Sequence, residues 1–141
     1  MSEKILVLGA SGQIGTDLVE QLRIDHGSDA VIASDIKDAS RSIMEGGPFE
    51  TLDARDGNRM LEVVKKHGIT QVYHLVAMLS ATAEKFPEKG WDLNMESLFH
   101  ALRIAKDGHI KKLYWPSSIA CFGPTTPKTD TPQFTVMDPG T

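Results

Sequence analysis

The chain has 141 residues, of which 40% are hydrophobic and 24% charged, the profile of one ordinary globular domain rather than a disordered, fibrous or low-complexity one. A formal charge of -4 at pH 7 excludes a nucleic-acid surface, which needs clustered Lys and Arg, and the pairs Lys65-Lys66 and Lys111-Lys112 read as solvated positions. No apolar run approaches the roughly 20 residues that span a bilayer as a helix, so no membrane partner is expected. The single Cys121 has no partner for an internal disulfide, and the first residues run into a strand with no signal-peptide pattern. A reducing, cytoplasmic compartment and no metal site are the expectations.

In chain order, Lys4 to Leu8 predicts a first strand, and Ile14, Leu18 and Leu22 after Gly12 predict a helix. A second strand is predicted from Ala30 to Ser34, ending at Asp35, and a third from Phe49 to Leu52 after the Gly46-Gly47-Pro48 break. Asp56 caps a helix with Met60, Leu61, Val63 and Val64 on its apolar side, closed by Gly68. Val72 to Val76 predicts a fully buried fourth strand. A long helix is predicted from Pro87 to Lys106, with Leu93, Leu98, Leu102 and Ala105 on one face and Gly108 as its stop. Leu113 to Ser117 predicts the fifth strand, and a Pro/Thr-rich loop follows Gly123. Alternating strands and helices predict an α/β fold: a Rossmann-type, doubly wound parallel sheet, ending after the fifth strand.

Gly9-Ala10-Ser11-Gly12-Gln13-Ile14-Gly15 stands where the first strand meets the first helix, the context a dinucleotide fingerprint requires. Gly9 permits the tight turn, Gly12 lets the backbone approach a pyrophosphate, and Gly15 permits close packing. The helix start offers unpaired N–H groups to phosphate charge. Ser11, Gln13 and Ile14 belong to the same candidate site. Asp35 ends the second strand 20 residues after Gly15 and is placed to accept hydrogen bonds from adenosine ribose hydroxyls. Its carboxylate repels a 2′-phosphate, which favours NAD over NADP; Ile36 beside it is counted with the site. The alternative for the glycines is a structural turn with no ligand.

The G-x-x-G-x-x-G spacing differs from G-x-G-x-x-G and resembles that of extended short-chain dehydrogenases/reductases. The resemblance places Asp53, with Ala54, near the adenine amino group, though a helix-approach cap is the other reading of Asp53. It implies that the backbone of Leu75, Val76 and Ala77 in Tyr73-His74-Leu75-Val76-Ala77 lines the nicotinamide ribose, with His74 packed rather than catalytic. Asn94 matches the family's helix asparagine, a structural or proton-relay residue, and is counted with the cofactor site. Trp115 to Gly123 resembles the family's strand-five motif, in which a residue at the position of Ser118 hydrogen-bonds the reacting oxygen. Ser118 is the candidate catalytic residue, and Ser117 and Ser80 are candidate substrate contacts. Both strand-five hydroxyls also fit a capping role. Cys121 reads as packed rather than nucleophilic.

Met78-Leu79-Ser80-Ala81, Asp92-Leu93-Asn94-Met95 and Trp115 through Pro127 together are similar to the short-chain type of L-threonine 3-dehydrogenase. That resemblance implies NAD-dependent oxidation of L-threonine to 2-amino-3-ketobutyrate, and a homodimer built on the helix from Pro87 to Lys106. The family's base, a Tyr with a Lys four residues on, is missing: Ala77 follows Tyr73 at that offset and Ser118 follows Tyr114. By the family's spacing the pair falls just past Thr141, so the expectation is an N-terminal portion, inactive alone. A sugar-nucleotide epimerase or dehydratase, and a non-catalytic NAD-binding module, are the competing readings.

Overall fold

The computed structural model describes residues 3–140. The strands are β1 (Ile5–Leu8), β2 (Val31–Asp35), β3 (Phe49–Thr51), β4 (Gln71–His74) and β5 (Lys112–Tyr114), forming one parallel sheet in the order β3-β2-β1-β4-β5. The helices are α1 (Gln13–His26), α2 (Arg41–Glu45), α3 (Gly57–His67), α4 (Ser80–Ala83), α5 (Pro87–Trp91) and α6 (Ser97–Lys106). The predicted doubly wound α/β sheet is therefore what forms.

Strand position follows burial chemistry. β1 is apolar at every residue and buried throughout, so it takes the centre, while Lys112 and Tyr114 leave β5 exposed at an edge. On one face Val7, Val31 and Ala33 pack with Val19 and Leu22 of α1 and Ile43 of α2. On the other, Leu6, Leu8, Ile32 and Val72 pack with Met60, Val63 and Val64 of α3 and Ala101 and Ile104 of α6. Each such buried side chain contributes about 1.5–3 kcal/mol relative to exposure. Arg23 ties α1 to the β2–β3 connection: it is buried, and it donates to the carbonyls of Ile43 at 2.7 Å and Pro48 at 2.9 Å. Backbone oxygens thus take both terminal nitrogens of a guanidinium that has no carboxylate partner among the described residues, while its buried Nε makes no hydrogen bond.

The caps of α3 are those expected: the Asp56 carboxylate accepts the Arg59 N–H at 2.9 Å, and Gly68 closes the helix at φ +62°. The fourth strand departs from expectation: it spans Gln71–His74 rather than Val72 to Val76, and Tyr73, opposite Tyr114 of exposed β5, is only half-buried. The long helix departs further. Its middle, Asp92–Glu96, is a π-helical turn between α5 and α6. Beyond that turn the buried stripe runs through Ser97, Leu98, Ala101 and Ile104, and Leu102 is 44% exposed. β5 ends at Tyr114 rather than Ser117, and a short 3-10 turn covers Ile119–Cys121. The Pro/Thr-rich stretch closes on itself through Asp138, which accepts from the Thr125 N–H at 2.9 Å, while Thr126 Oγ1 donates to the Val136 carbonyl at 2.7 Å.

Candidate functional site

The site begins at the turn out of β1. Gly9 adopts φ +84°, and the N–H groups of Gly9 and Ala10 both donate to the Ser34 carbonyl, at 2.9 and 3.0 Å. A Cβ on Gly9 would also stand 3.1 Å from the Leu75 carbonyl carbon, so only glycine fits between the turn and the exit of β4. Gly12 is the N-cap of α1 with no side-chain cap, and the first turn of α1 carries no acidic residue. The leading N–H groups of a 14-residue helix are left facing outward, with the positive end of its dipole. Gly15 serves closeness of a particular kind: a Cβ there would overlap the Gly9 carbonyl oxygen and lie 2.9 Å from Ala10 Cα. The helix packs against the turn itself rather than only against the strand.

Asp35 reaches across from the end of β2. One carboxylate oxygen accepts the Ser11 N–H at 3.0 Å and the other its neighbour Ile36 N–H at 2.8 Å, leaving a lone pair on each for a ligand. Asp53, past the end of β3, is engaged differently. Arg55 Nη2 lies 2.6 Å from one of its oxygens, and Arg55 Nε and N–H reach the other at 3.1 and 2.9 Å. These hydrogen bonds hold the Asp53 carboxyl below the usual carboxylate range.

These groups border one cleft of about 640 Å³ along the carboxyl ends of β1, β2, β3 and β4. Of the cofactor residues expected from sequence, Gly9, Ser11, Gly12, Asp35, Ile36, Asp53, Ala54, Leu75, Val76 and Ala77 line it. Gln13, Ile14 and Gly15 stand beside it in the first turn of α1 without lining it. Lys37, Arg55, Lys89 and Asp92 also line it, none of them marked as a site residue by the sequence patterns. The signal for the first two was adjacency to Asp35 and Asp53; Lys89 is on α5 and Asp92 opens the π turn, which no residue pattern announced. The Ser11 and Ser34 hydroxyls are buried with no hydrogen-bond partner, and both residues line the cleft. A polar, elongated ligand that crosses the glycine turn and reaches Asp35 fits this set, as a dinucleotide would. A second hollow of about 770 Å³, between α3 and α6, shares Asp53 and Arg55 but contains none of the glycine turn.

The remaining candidates lie elsewhere. Asn94, on the π turn, accepts the Met78 N–H at 2.6 Å and donates to the Met78 carbonyl at 3.2 Å. Its amide holds the loop that lines the cleft and does not line the cleft itself. His74 is fully buried with neither ring nitrogen in a hydrogen bond, and burial pushes its pKa down, the nearby carbonyls of His74 and Ser97 offsetting this only in part. It is packed, as expected. Ser118 accepts the Ala120 N–H at 3.1 Å and caps the 3-10 turn. Ser117 and Ser80 are exposed, and none of these three serines lines the cleft. No helix among the described residues is long and apolar enough to cross a membrane.

Comparison with known proteins places this geometry. An uncharacterized epimerase/dehydratase of Staphylococcus saprophyticus is 46% identical over 138 residues, covering 97% of this chain and 43% of its own length. The solved GalE-like L-threonine dehydrogenase from Cupriavidus necator, in its holo form, superposes with a TM-score of 0.91 at 48% identity, covering 97% of this chain and 44% of that one. L-threonine dehydrogenase from Clostridium difficile gives a TM-score of 0.91 at 43% identity, covering 99% and 44%. The chain therefore spans less than half the length of the proteins it matches. Residues 5–140 match the NAD dependent epimerase/dehydratase family, and the chain belongs to it.

Proposed function

We propose that this chain supplies the NAD-binding part of an L-threonine 3-dehydrogenase. The observation that carries the cofactor reading is the hydrogen bond from Ser11 N–H to Asp35, which joins the phosphate-binding turn to the ribose-binding carboxylate inside one cleft. The substrate reading rests on 43% and 48% identity to threonine dehydrogenases over nearly the whole chain.

In this reading the N–H groups of the first turn of α1 bind the pyrophosphate, and Asp35 takes the adenosine ribose hydroxyls. The Asp35 charge repels a 2′-phosphate, which sets NAD above NADP. Asp53 and its Arg55 partner bound the adenine side. The backbone from Leu75 to Met78, clamped by Asn94, borders the nicotinamide ribose. When bound, NAD accepts the hydride from the carbon that carries the substrate hydroxyl. The family resemblance assigns that hydroxyl to Ser118, which stands outside the cleft in this chain; its oxygen accepts from Ala120 N–H, and its own O–H remains free to donate.

The hydroxyl proton needs a base, and these 141 residues hold no Tyr-x-x-x-Lys. Tyr73 and Tyr114 sit in adjacent strands with ring centroids 5.4 Å apart, packed on one another rather than facing the cleft. The chain alone is therefore inactive on threonine. The test is NADH formation, read by absorbance, on adding L-threonine to the 141 residues and to a longer chain that carries the Tyr-x-x-x-Lys pair. Threonine-dependent NADH only from the longer chain is expected. Turnover of a nucleotide sugar in place of threonine moves the assignment to an epimerase or dehydratase, and NAD binding without chemistry in either chain moves it to a binding module.

A further inference from the structure

The cleft has three cations on its lining, Lys37, Arg55 and Lys89, and they are not equivalent. Arg55 is committed to Asp53 at 2.6 Å. Lys37 stands two residues beyond Asp35, at the ribose end. Lys89 is on α5, next to Gly90, where a Cβ would lie 3.8 Å from Met78 Sδ in the loop that leaves β4, and β4 is on the other side of β1 from the β2 strand that carries Asp35. It forms no ion pair among the described residues; its ammonium instead rests over the Phe86 ring, 5.2 Å from the centroid. Asp92, one helical turn on, is the acidic residue nearest in sequence that shares this wall of the cleft.

A dinucleotide laid across the glycine turn brings two negative charges to this cleft. The turn itself answers them only with backbone N–H groups and the helix dipole, worth a fraction of a charge. An ammonium with no carboxylate partner, held on an aromatic face at the same cleft wall, supplies the missing full charge. Moving a flexible side chain off an exposed ring costs little, because cation–π contacts at exposed sites are weak.

We propose that Lys89 is a cofactor-binding residue of this cleft: it leaves the Phe86 ring to pair with the cofactor pyrophosphate, and Phe86 keeps it at the rim until then. The inference rests on the NAD-binding reading above. A point-charge contact of this kind, partly exposed, strengthens binding modestly and weakens as salt rises.

The experiment is calorimetric titration of NAD into the protein and into its Lys89→Met and Lys89→Arg variants, each at low and high salt. Lys89→Met is expected to raise the NAD Kd about threefold to tenfold and to flatten its salt dependence, and Lys89→Arg is expected to restore both. Adenosine, which has no phosphate, is expected to bind the protein and Lys89→Met alike. Unchanged NAD affinity in Lys89→Met overturns the inference and leaves the NAD reading standing. A loss that extends to adenosine, keeps the salt slope or is not rescued by Arg assigns Lys89 a structural role and overturns it too. Failure of the unaltered protein to bind NAD removes both readings together.

Discussion

Asn94 grips Met78 by both of its backbone groups, taking the N–H at 2.6 Å and giving a hydrogen bond to the carbonyl at 3.2 Å. This reciprocal clamp joins the π turn to the loop that leaves β4, and that loop is one wall of the cofactor cleft. Asn94→Ala leaves two half-buried backbone groups unpaired and should cost about 1–3 kcal/mol of stability. NAD affinity should fall as well, although Asn94 does not line the cleft. Asn94→Asp retains only the acceptor half and should fall between. Urea unfolding and NAD titration of both variants check this.

The glycines should separate stability from binding. Gly15→Ala places a methyl on the Gly9 carbonyl, backbone against backbone, and should destabilise the fold by about 1–3 kcal/mol or more. A Cβ at Gly12 meets only the Gly9 oxygen, at 3.3 Å, so Gly12→Ala should fold nearly as well as the unaltered chain. Its methyl stands where the pyrophosphate approaches, and NAD affinity should drop. Thermal melts with and without NAD distinguish the two: Gly12→Ala keeps its melting temperature and loses the NAD-induced rise.

Asp35→Asn tests cofactor choice. The amide keeps one acceptor oxygen but loses the charge that orders Ser11 N–H and repels a 2′-phosphate. NAD affinity should fall about tenfold, as expected when a charged acceptor becomes neutral, and NADP affinity should fall less or rise. Equal losses for both nucleotides would show that Asp35 only shapes the turn.

Two buried groups set the acid limit of the fold. Glu50 is buried on β3; burial pushes its pKa up, but hydrogen bonds and charges from Lys66 and His67, at 2.6 and 2.7 Å, hold it below the usual range. A depressed carboxyl adds stability above its unfolded pKa of about 4.3, and that stability is lost as pH falls from there through the folded value. His74 is also depressed, by burial, so the unfolded chain binds its proton first and stability falls once pH drops below about 6.5. Acid destabilisation should therefore come in two stages, the upper one removed by His74→Leu and the lower one, to which Asp53 also contributes, reduced by Glu50→Gln. Urea midpoints measured between pH 7 and pH 3 resolve them.

Much of this arrangement is readable in the residues. Strand, glycine turn and helix follow from an apolar run meeting Gly9, Gly12 and Gly15, and the α3 caps follow from Asp56 and Gly68, because both signals are local. Asp35 is legible for the same reason, as a carboxylate at a strand end. The π turn is not, since an ideal helical repeat over Pro87 to Lys106 gives no sign of one wider turn. The capping reading of Ser118 holds, as its bond from Ala120 N–H shows, whereas the Arg55 hold on Asp53 depends on side-chain rotamers, which residue spacing does not encode.

The most direct test of the central claim is calorimetric titration of the unaltered protein with NAD and, in parallel, NADP. Saturable binding of one NAD per chain, about tenfold or more tighter than NADP, is the result expected of a cleft in which Asp35 faces the adenosine ribose. No binding, or NADP bound as well as NAD, would contradict it.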